Sequence, residues 1–168
     1  MKKLYMISLG GKVKSCNVEV HDVQFVVADH IDETIVLLKS VWYGLDEKLH
    51  MDSYKEIIGA DGFTVRLIKK KPDSNKQLFF VQLGGYKKDS TQELHDVGLF
   101  IGECEQEVKE RALKEIKAAD IENHLDSIIC VETVMQSTDG ERYYVELRES
   151  LDDFDMVPDW FGYRRLNI

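Results

Sequence analysis

An internal repeat constrains the fold of this chain more than any other feature of its sequence. Residues 3–14, KLYMISLGGKVK, match residues 77–88, QLFFVQLGGYKK, at an offset of 74 residues. The same offset relates pairs of polar residues farther along the chain, namely His21 and His95, Asp22 and Asp96, His50 and His124, Asp52 and Asp126, and Ser53 and Ser127. Because chance similarity does not hold one register over such a length, we predict an internal duplication.

Each copy predicts the same order of secondary structure, β-β-α-β-β. We place the first copy at residues 1–71, the second at 72–149 and a C-terminal extension at 150–168. A single copy is too short to bury a large core, so the copies are expected to pack together about a pseudo-two-fold axis. The predicted fold class is α+β, with mixed or antiparallel sheets and one main helix per copy.

Short apolar runs bounded by turn residues predict four strands in each copy. These strands are expected at residues 4–9, 20–27, 53–58 and 63–69 in the first copy and at 78–83, 94–101, 127–134 and 143–148 in the second. Glycine pairs, Gly10-Gly11 and Gly84-Gly85, are expected to end the first strand of each copy, since glycine permits positive φ and close backbone approach. Asp-Gly steps within GADG and QSTDGE predict a hairpin between the last two strands of each copy.

Apolar residues at helical spacing predict the helix of each copy. In the first copy Asp32 is the expected N-cap and Gly44 the expected stop. The residues of this helix that face the core are expected to be Ile35, Leu38 and Trp42. In the second copy EQEVKERALKEIKAA, at 105–119, predicts a helix whose inward stripe consists of Val108, Ala112, Ile116 and Ala119.

Charge and apolar run lengths exclude several classes of partner. The chain has 22 lysines and arginines against 31 acidic residues, a net charge of −9, so we expect neither nucleic acid nor an anionic membrane as partner. No apolar run resembles a signal peptide or a membrane span, which predicts a soluble, cytoplasmic protein. Three cysteines, Cys16, Cys104 and Cys130, lack the CxxC spacing of structural zinc sites.

The duplicated histidines and aspartates are the candidate functional residues. Strand alternation places His21 and Asp22 on opposite faces, whereas His50 and Asp52, two residues apart, share one side. If the strands that carry them are neighbours, His21, His50 and Asp52 converge. The duplication then supplies a second group, which consists of His95, His124 and Asp126.

This pattern leaves several interpretations open. Two imidazoles and a carboxylate can bind a transition metal with open positions, provide a general base oriented by an acid, or form a ligand site. The same residue types also commonly have structural roles: a buried histidine hydrogen-bonds to the backbone, and an aspartate completes a turn. A metal site needs three or more ligands, and we assign neither a metal nor a cofactor from the sequence. Further candidate ligand contacts are Gly10, Gly11, Asp22, Ser53, Gly84, Gly85, Asp96 and Ser127.

The elements LGG, EVHDVQFVV, LHMDSYKEI and DGF, in this order, resemble the bacterial domain of unknown function 1543 family (DUF1543). Residues 3–68 carry the resemblance, and residues 77–147 carry it again with a longer hairpin, so the chain resembles two tandem copies. The resemblance implies a bacterial, cytoplasmic protein. It implies no activity and no functional residues.

The sequence contains no P-loop, GxSxG or HExxH motif. We therefore expect a soluble binding or assembly module, whose candidate partners are a small-molecule ligand and a second copy of the chain. The alternative is a small-molecule enzyme, most plausibly hydrolytic, with His50 or His21 as base and Asp52 as orienter. The C-terminal extension is aromatic around Trp160, Phe161 and Tyr163. We expect it to pack on its own domain, with a homo-oligomer contact as the alternative.

Overall fold

The structure is a computed structural model that describes residues 1–116 and 121–166. The chain forms two compact units, each built from separate segments. The first unit consists of Met1–Ile58, Met135–Tyr143 and Val157–Ile168, and the second of Gly59–Val134 and Tyr144–Met156. The repeat boundaries inferred from the sequence, 1–71 and 72–149, stay a prediction.

The elements confirm the α+β class. The strands are β1 (Lys3–Gly11), β2 (Val20–Ala28), β3 (His50–Glu56), β4 (Gly59–Ala60), β5 (Phe63–Ile68), β6 (Gln77–Tyr86), β7 (Leu94–Gly102), β8 (Ile121–Cys130), β9 (Gln136–Ser137), β10 (Tyr144–Glu149) and β11 (Trp160–Arg165). The α-helices are α1 (Ile35–Val41), α2 (Glu105–Glu115) and α3 (Val131–Val134), and short 3-10 turns span Ile31–Thr34 and Asp46–Lys48.

Three sheets contain these strands. The first unit has a five-stranded sheet in the order β11-β3-β1-β2-β9, in which only β2 and β9 pair in parallel. The second unit has two antiparallel three-stranded sheets, β7-β6-β8 and β10-β5-β4. The predicted mixture of antiparallel and mixed sheets is thus confirmed, and β1 and β6 are each the central strand between two antiparallel neighbours.

The predicted hairpins between the last two strands of each copy are wrong. Strand β3 pairs with β1 and β11, whereas β5 pairs with β4 and β10. The Asp-Gly step does form a tight two-residue turn, since Asp61 and Gly62 both have positive φ between the paired residues Ala60 and Phe63. The turn signal is therefore correct, but the strand before it contains only two residues.

The first helix begins and ends differently from its prediction. Asp32 is not its N-cap: it lies in the 3-10 turn before α1, and its carboxylate accepts a hydrogen bond from Arg164 at 2.6 Å. The N-cap of α1 is Thr34, whose hydroxyl donates to the carbonyl of Ile31 and accepts no capping hydrogen bond from the N–H groups of the helix. The helix ends at Val41, because the backbone of Trp42 is extended. The predicted stop at Gly44 therefore lies three positions beyond the last helical residue.

Helix α2 agrees with its predicted stripe over the described residues. Val108 and Ala112 are buried, and Ile116 is buried just beyond the helix end. The fourth predicted member, Ala119, lies outside the described residues. A further short helix, α3, occupies the end of the segment predicted as a strand at 127–134, so the strand prediction is wrong for Val131–Val134. One main helix per copy stays a prediction.

Each unit has its own hydrophobic core. In the first unit the odd-numbered residues of β1, including Ile7 and Leu9, pack with α1 and Trp42. In the second unit Val81 and Leu83 of β6 pack with α2. Alternation along a strand therefore turns Gly10 and Gly84 toward the opposite face from these leucines. Within residues 1–116 and 121–166, no helix is long and apolar enough to cross a membrane.

We expect Leu9→Ala and Leu83→Ala each to lower the free energy of unfolding by about 2–5 kcal/mol, because both side chains are fully buried and truncation leaves a cavity. Urea denaturation measures the loss. Val36→Ala, at an exposed position of α1, is the control and should change stability by less than about 0.5 kcal/mol. A loss below about 1 kcal/mol for either leucine, which is close to the uncertainty of such a comparison, would contradict this core assignment.

Candidate functional site

Polar side chains from two strands and an adjoining loop meet on one face of the sheet in the first unit. We call this group the first cluster; it consists of Glu19, His21, His50 and Asp52. His21 lies on β2 and His50 on β3, and both are paired with the same residue of the central strand, Gly10. The register of three strands therefore brings the two imidazoles to either side of a residue without a side chain.

Both imidazoles of the first cluster present Nε2 to the same two carboxylates. Nε2 of His21 lies 3.6 Å from an oxygen of Glu19 and 3.6 Å from an oxygen of Asp52. Nε2 of His50 lies 3.8 Å from Glu19 and 3.3 Å from Asp52. The arrangement brings together His21, His50 and Asp52, the three residues that the sequence nominates for this unit.

The second unit contains a cluster of the same composition. We call it the second cluster; it consists of Glu93, His95, His124 and Asp126. Nε2 of His95 lies 3.6 Å from Glu93 and 3.3 Å from Asp126, and Nε2 of His124 lies 2.8 Å and 3.2 Å from the same two carboxylates. His95 on β7 and His124 on β8 are both paired with Gly84 of β6.

A β-bulge positions the aspartate of each cluster. On β3 the register passes from Ser53, opposite Ser8, to Met51, opposite Leu9, so Asp52 is the extra residue. On β8 the same shift leaves Asp126 as the extra residue between Ser127 and Leu125. Because a bulge re-aims the side chain that it carries, it turns each carboxylate toward the imidazoles of its cluster.

The central glycines are required by the close approach of these side chains. A Cβ on Gly10 would lie 2.5 Å from Nε2 of His50 and 2.9 Å from Asp52. A Cβ on Gly84 would lie 2.7 Å from both Asp126 and Glu93. The prediction that a glycine pair ends each strand is confirmed for β1, which ends at Gly11, whereas β6 extends one residue past Gly85 to Tyr86. Gly10 and Gly84 are still paired strand residues, and their missing side chains leave room for the cluster.

Backbone carbonyls fix the orientation of one histidine in each cluster. Nδ1 of His50 lies 2.9 Å from the carbonyl oxygen of Lys48, and Nδ1 of His124 lies 3.1 Å from that of Glu122. A carbonyl oxygen only accepts, so Nδ1 carries the proton and donates it. In the neutral imidazole, Nε2 then directs a lone pair at the carboxylates.

The two clusters differ in their exposure to solvent. His50 is only 2% exposed and lies against the ring of Tyr163 on β11, with ring centroids 4.2 Å apart. The side chain of His124 is 42% exposed, and its neighbour Tyr86 is stacked at 5.7 Å. The difference is confined to this histidine, since the other members of the first cluster are at least as exposed as their counterparts in the second.

The pKa shifts follow from these surroundings. Burial raises the pKa of Asp52, and the nearby His50 and His21 oppose that rise. The pKa of His124 is raised by its hydrogen bond to the Glu122 carbonyl and by the neighbouring carboxylates. The charge of Glu93 raises the pKa of Tyr86. The second cluster therefore favours positive charge on His124.

Other residues nominated from the sequence lie beside the clusters. Asp22 accepts a hydrogen bond from Gln24 at 2.6 Å, and Asp96 accepts one from the amide of Val97 at 2.8 Å. A Cβ on Gly11 would meet the ring of Trp42, so this glycine serves packing. The remaining nominated residues lie on the strands next to the bulges or the central glycines; they are Ser53, Ser127 and Gly85.

Sequence reasoning missed one acidic member of each cluster. Glu19 and Glu93 each precede a clustered histidine by two residues, His21 and His95 respectively. Residues two apart on an extended chain point to the same side. The repeated Glu-x-His pattern is therefore a signal that could have found both glutamates.

Comparisons with known proteins agree with the fold and assign no function. The model of a family described as Domain of Unknown Function (DUF1543) matches residues 16–67, a segment that contains the whole first cluster. This single match does not extend to the predicted second copy. A solved structure, titled "Crystal structure of a protein Il1583 from Idiomarina loihiensis", is similar over 100% of both chains, with a TM-score of 0.77 and 27% identity. No curated protein matches the chain.

We expect Gly10→Ala to destabilise the protein by about 1–3 kcal/mol and to cost more than Gly84→Ala. The new methyl group displaces His50, which is buried and held by Lys48, whereas His124 has exposed space into which it can move. Thermal unfolding of the two variants measures the difference. An equal or smaller cost at Gly10 would show that burial does not hold His50 in place.

Proposed function

We propose that this protein is a ligand-binding module made of two copies of one structural unit, in which each cluster is a binding site. One observation carries the proposal: two imidazole Nε2 atoms and two carboxylates converge over a glycine, and they do so twice, at positions related by the 74-residue offset. Polar groups that only stabilise a fold do not need to converge over a residue that has no side chain.

The strand registers support the duplication within this proposal. Gly10 is opposite His21 and His50, and Gly84 is opposite the corresponding histidines of the second cluster, His95 and His124. Both third strands carry a bulge at the aspartate two residues after the histidine. An inserted residue at an equivalent site is hard to obtain independently, so it favours a common origin.

Electrostatics favour a cationic ligand. At a pH where the imidazoles are neutral, each cluster holds two carboxylates close together, with lone pairs of Nε2 directed at them. Like charges at this distance repel, and burial of Asp52 adds to the cost. A cation between the groups converts this repulsion into attraction. Without the cation, the repulsion within each cluster lowers the stability of the folded protein.

The geometry gives less support to the alternative of a hydrolytic enzyme. When a carboxylate orients a histidine base, it bonds the ring nitrogen opposite the one that takes the proton. In His50 the carbonyl of Lys48 occupies Nδ1, and Asp52 faces Nε2, the nitrogen that would have to act as base. Binding therefore accounts for the arrangement better than base catalysis.

We expect Asp52→Asn to raise the free energy of unfolding by about 0.5–2 kcal/mol at pH 8, without added ligand. The substitution removes a carboxylate from the repulsive pair, and the new amide can donate to Nε2 of His50. Urea denaturation measures the change. Asp22→Asn makes the same charge change outside the cluster and is the matched control. A loss of stability for Asp52→Asn alone would identify a structural ion pair and contradict the proposed function.

Self-association through the C-terminal aromatic segment is a second proposal, favoured by the position of β11. This strand is at the edge of its sheet, with Phe161 77% exposed. Unpaired edges and exposed aromatic side chains are common sites of association. We expect sedimentation equilibrium to detect a dimer that Phe161→Lys dissociates. Leu151→Lys, at another exposed apolar position, is the control, and a monomeric wild type would contradict the proposal.

A further inference from the structure

We propose that each cluster binds one divalent transition-metal ion of the Zn²⁺ class. The ligands are Nε2 of His21 and His50 with a carboxylate oxygen of Glu19 and of Asp52 in the first cluster, and the equivalent atoms of the second cluster. This inference rests on the proposed binding function and names its ligand. The sequence alone assigned no metal, because it did not reveal that two glutamates complete the sets.

The spacing of the polar atoms fits a tetrahedral ion. Bonds of about 2.0–2.2 Å from Zn²⁺ to nitrogen and oxygen place neighbouring ligand atoms about 3.3–3.6 Å apart in a tetrahedron. The imidazole-to-carboxylate distances are 3.3–3.8 Å in the first cluster and 2.8–3.6 Å in the second. Most exceed the roughly 2.7–3.2 Å of a direct hydrogen bond, so they resemble edges of a coordination shell more than ion pairs.

The histidine tautomers have the form that metal binding requires. A metal takes the unprotonated ring nitrogen, and the other nitrogen usually donates to a carbonyl or carboxylate. Nδ1 of His50 donates to Lys48, and Nδ1 of His124 donates to Glu122, which leaves both Nε2 atoms free to coordinate. The outer contacts that orient metal ligands are therefore already in place in both clusters.

A buried carboxylate oxygen in the second cluster supports a cation as the ligand. Oε1 of Glu93 is buried and accepts no hydrogen bond from any residue that the structure describes, although Nε2 of His124 lies 2.8 Å away. Among the described residues, only Glu93, His124 and Asp126 form a group of three whose ligand atoms all lie within 4.8 Å of one another, so the second cluster is the better formed of the two. A buried charged oxygen without a donor is costly, and a bound cation removes that cost.

The donor set selects the class of metal. Two imidazoles with two carboxylates suit Zn²⁺, Co²⁺, Ni²⁺ or Cu²⁺, whereas Ca²⁺ and Mg²⁺ prefer oxygen ligands alone. The bulges and strand registers allow little expansion toward six ligands, since the four donors come from three adjacent segments around Gly10 or Gly84. Four-coordinate Zn²⁺ and its spectroscopic substitute Co²⁺ are therefore the appropriate probes.

The test uses the full chain, freed of metal with a chelator that is then removed by dialysis. Isothermal titration with Zn²⁺ and visible absorption with Co²⁺ should each report two ions per chain, and the Co²⁺ bands should be those of a tetrahedral site. Zn²⁺ should also raise the unfolding temperature, because it binds only the folded state.

Substitution of the exposed histidines locates the ions. The side chains of His21 and His95 are 61% and 43% exposed, so their replacement leaves the folded core intact. His21→Ala and His95→Ala should each leave one ion bound per chain, and the double variant should lower Zn²⁺ affinity about 100-fold or more. His30→Ala removes the remaining histidine, which is exposed and outside both clusters, and should change nothing.

Two results would overturn the metal assignment: no uptake of Zn²⁺ or Co²⁺ by the wild type, or equal uptake by the double variant. The stability of Asp52→Asn then separates this failure from failure of the binding function. If that variant is more stable than the wild type, the clusters still bind a cation of another class. If it is less stable, the clusters are structural and both proposals fail.

Discussion

The close approach of charged side chains over a glycine in the middle of a sheet is the constraint on which the rest of this structure depends. A central strand pairs on both sides, so the residues opposite Gly10 are fixed by two registers at once. A shift of either neighbour by one residue would turn its histidine to the other face. The buried leucine next to each central glycine, Leu9 or Leu83, prevents such a shift by anchoring the strand in the core.

Those features that depend on local alternation could be predicted from the sequence. The positions of β1, β2, β6 and β7, the inward face of α2 and the meeting of His21, His50 and Asp52 all follow from two-residue or helical periodicity in a repeated pattern. The 74-residue offset in the sequence is decisive, because it marks the same histidine and aspartate positions twice. A single copy would have left these residues as isolated polar positions.

Features that depend on distant pairing could not be predicted in the same way. Strand β5 pairs with β10, which places Thr64 opposite Arg148, 84 residues away, and no local pattern specifies that partner. The acidic members Glu19 and Glu93 lie just before their strands, where alternation is a weak guide. Helix α3 follows the buried Cys130, and the apolar sequence there is equally compatible with a strand and a helix.

Because each unit is built from separate segments of the chain, the second unit can be completed before the first during synthesis. The second unit needs no residue beyond Met156, whereas the first takes its edge strand, β11, from the last residues of the chain. The N-terminal strands therefore leave the ribosome first but wait longest for their final partner. Until Tyr163 emerges, His50 lacks the ring that covers it. The nascent chain thus carries a finished second cluster before the first is closed.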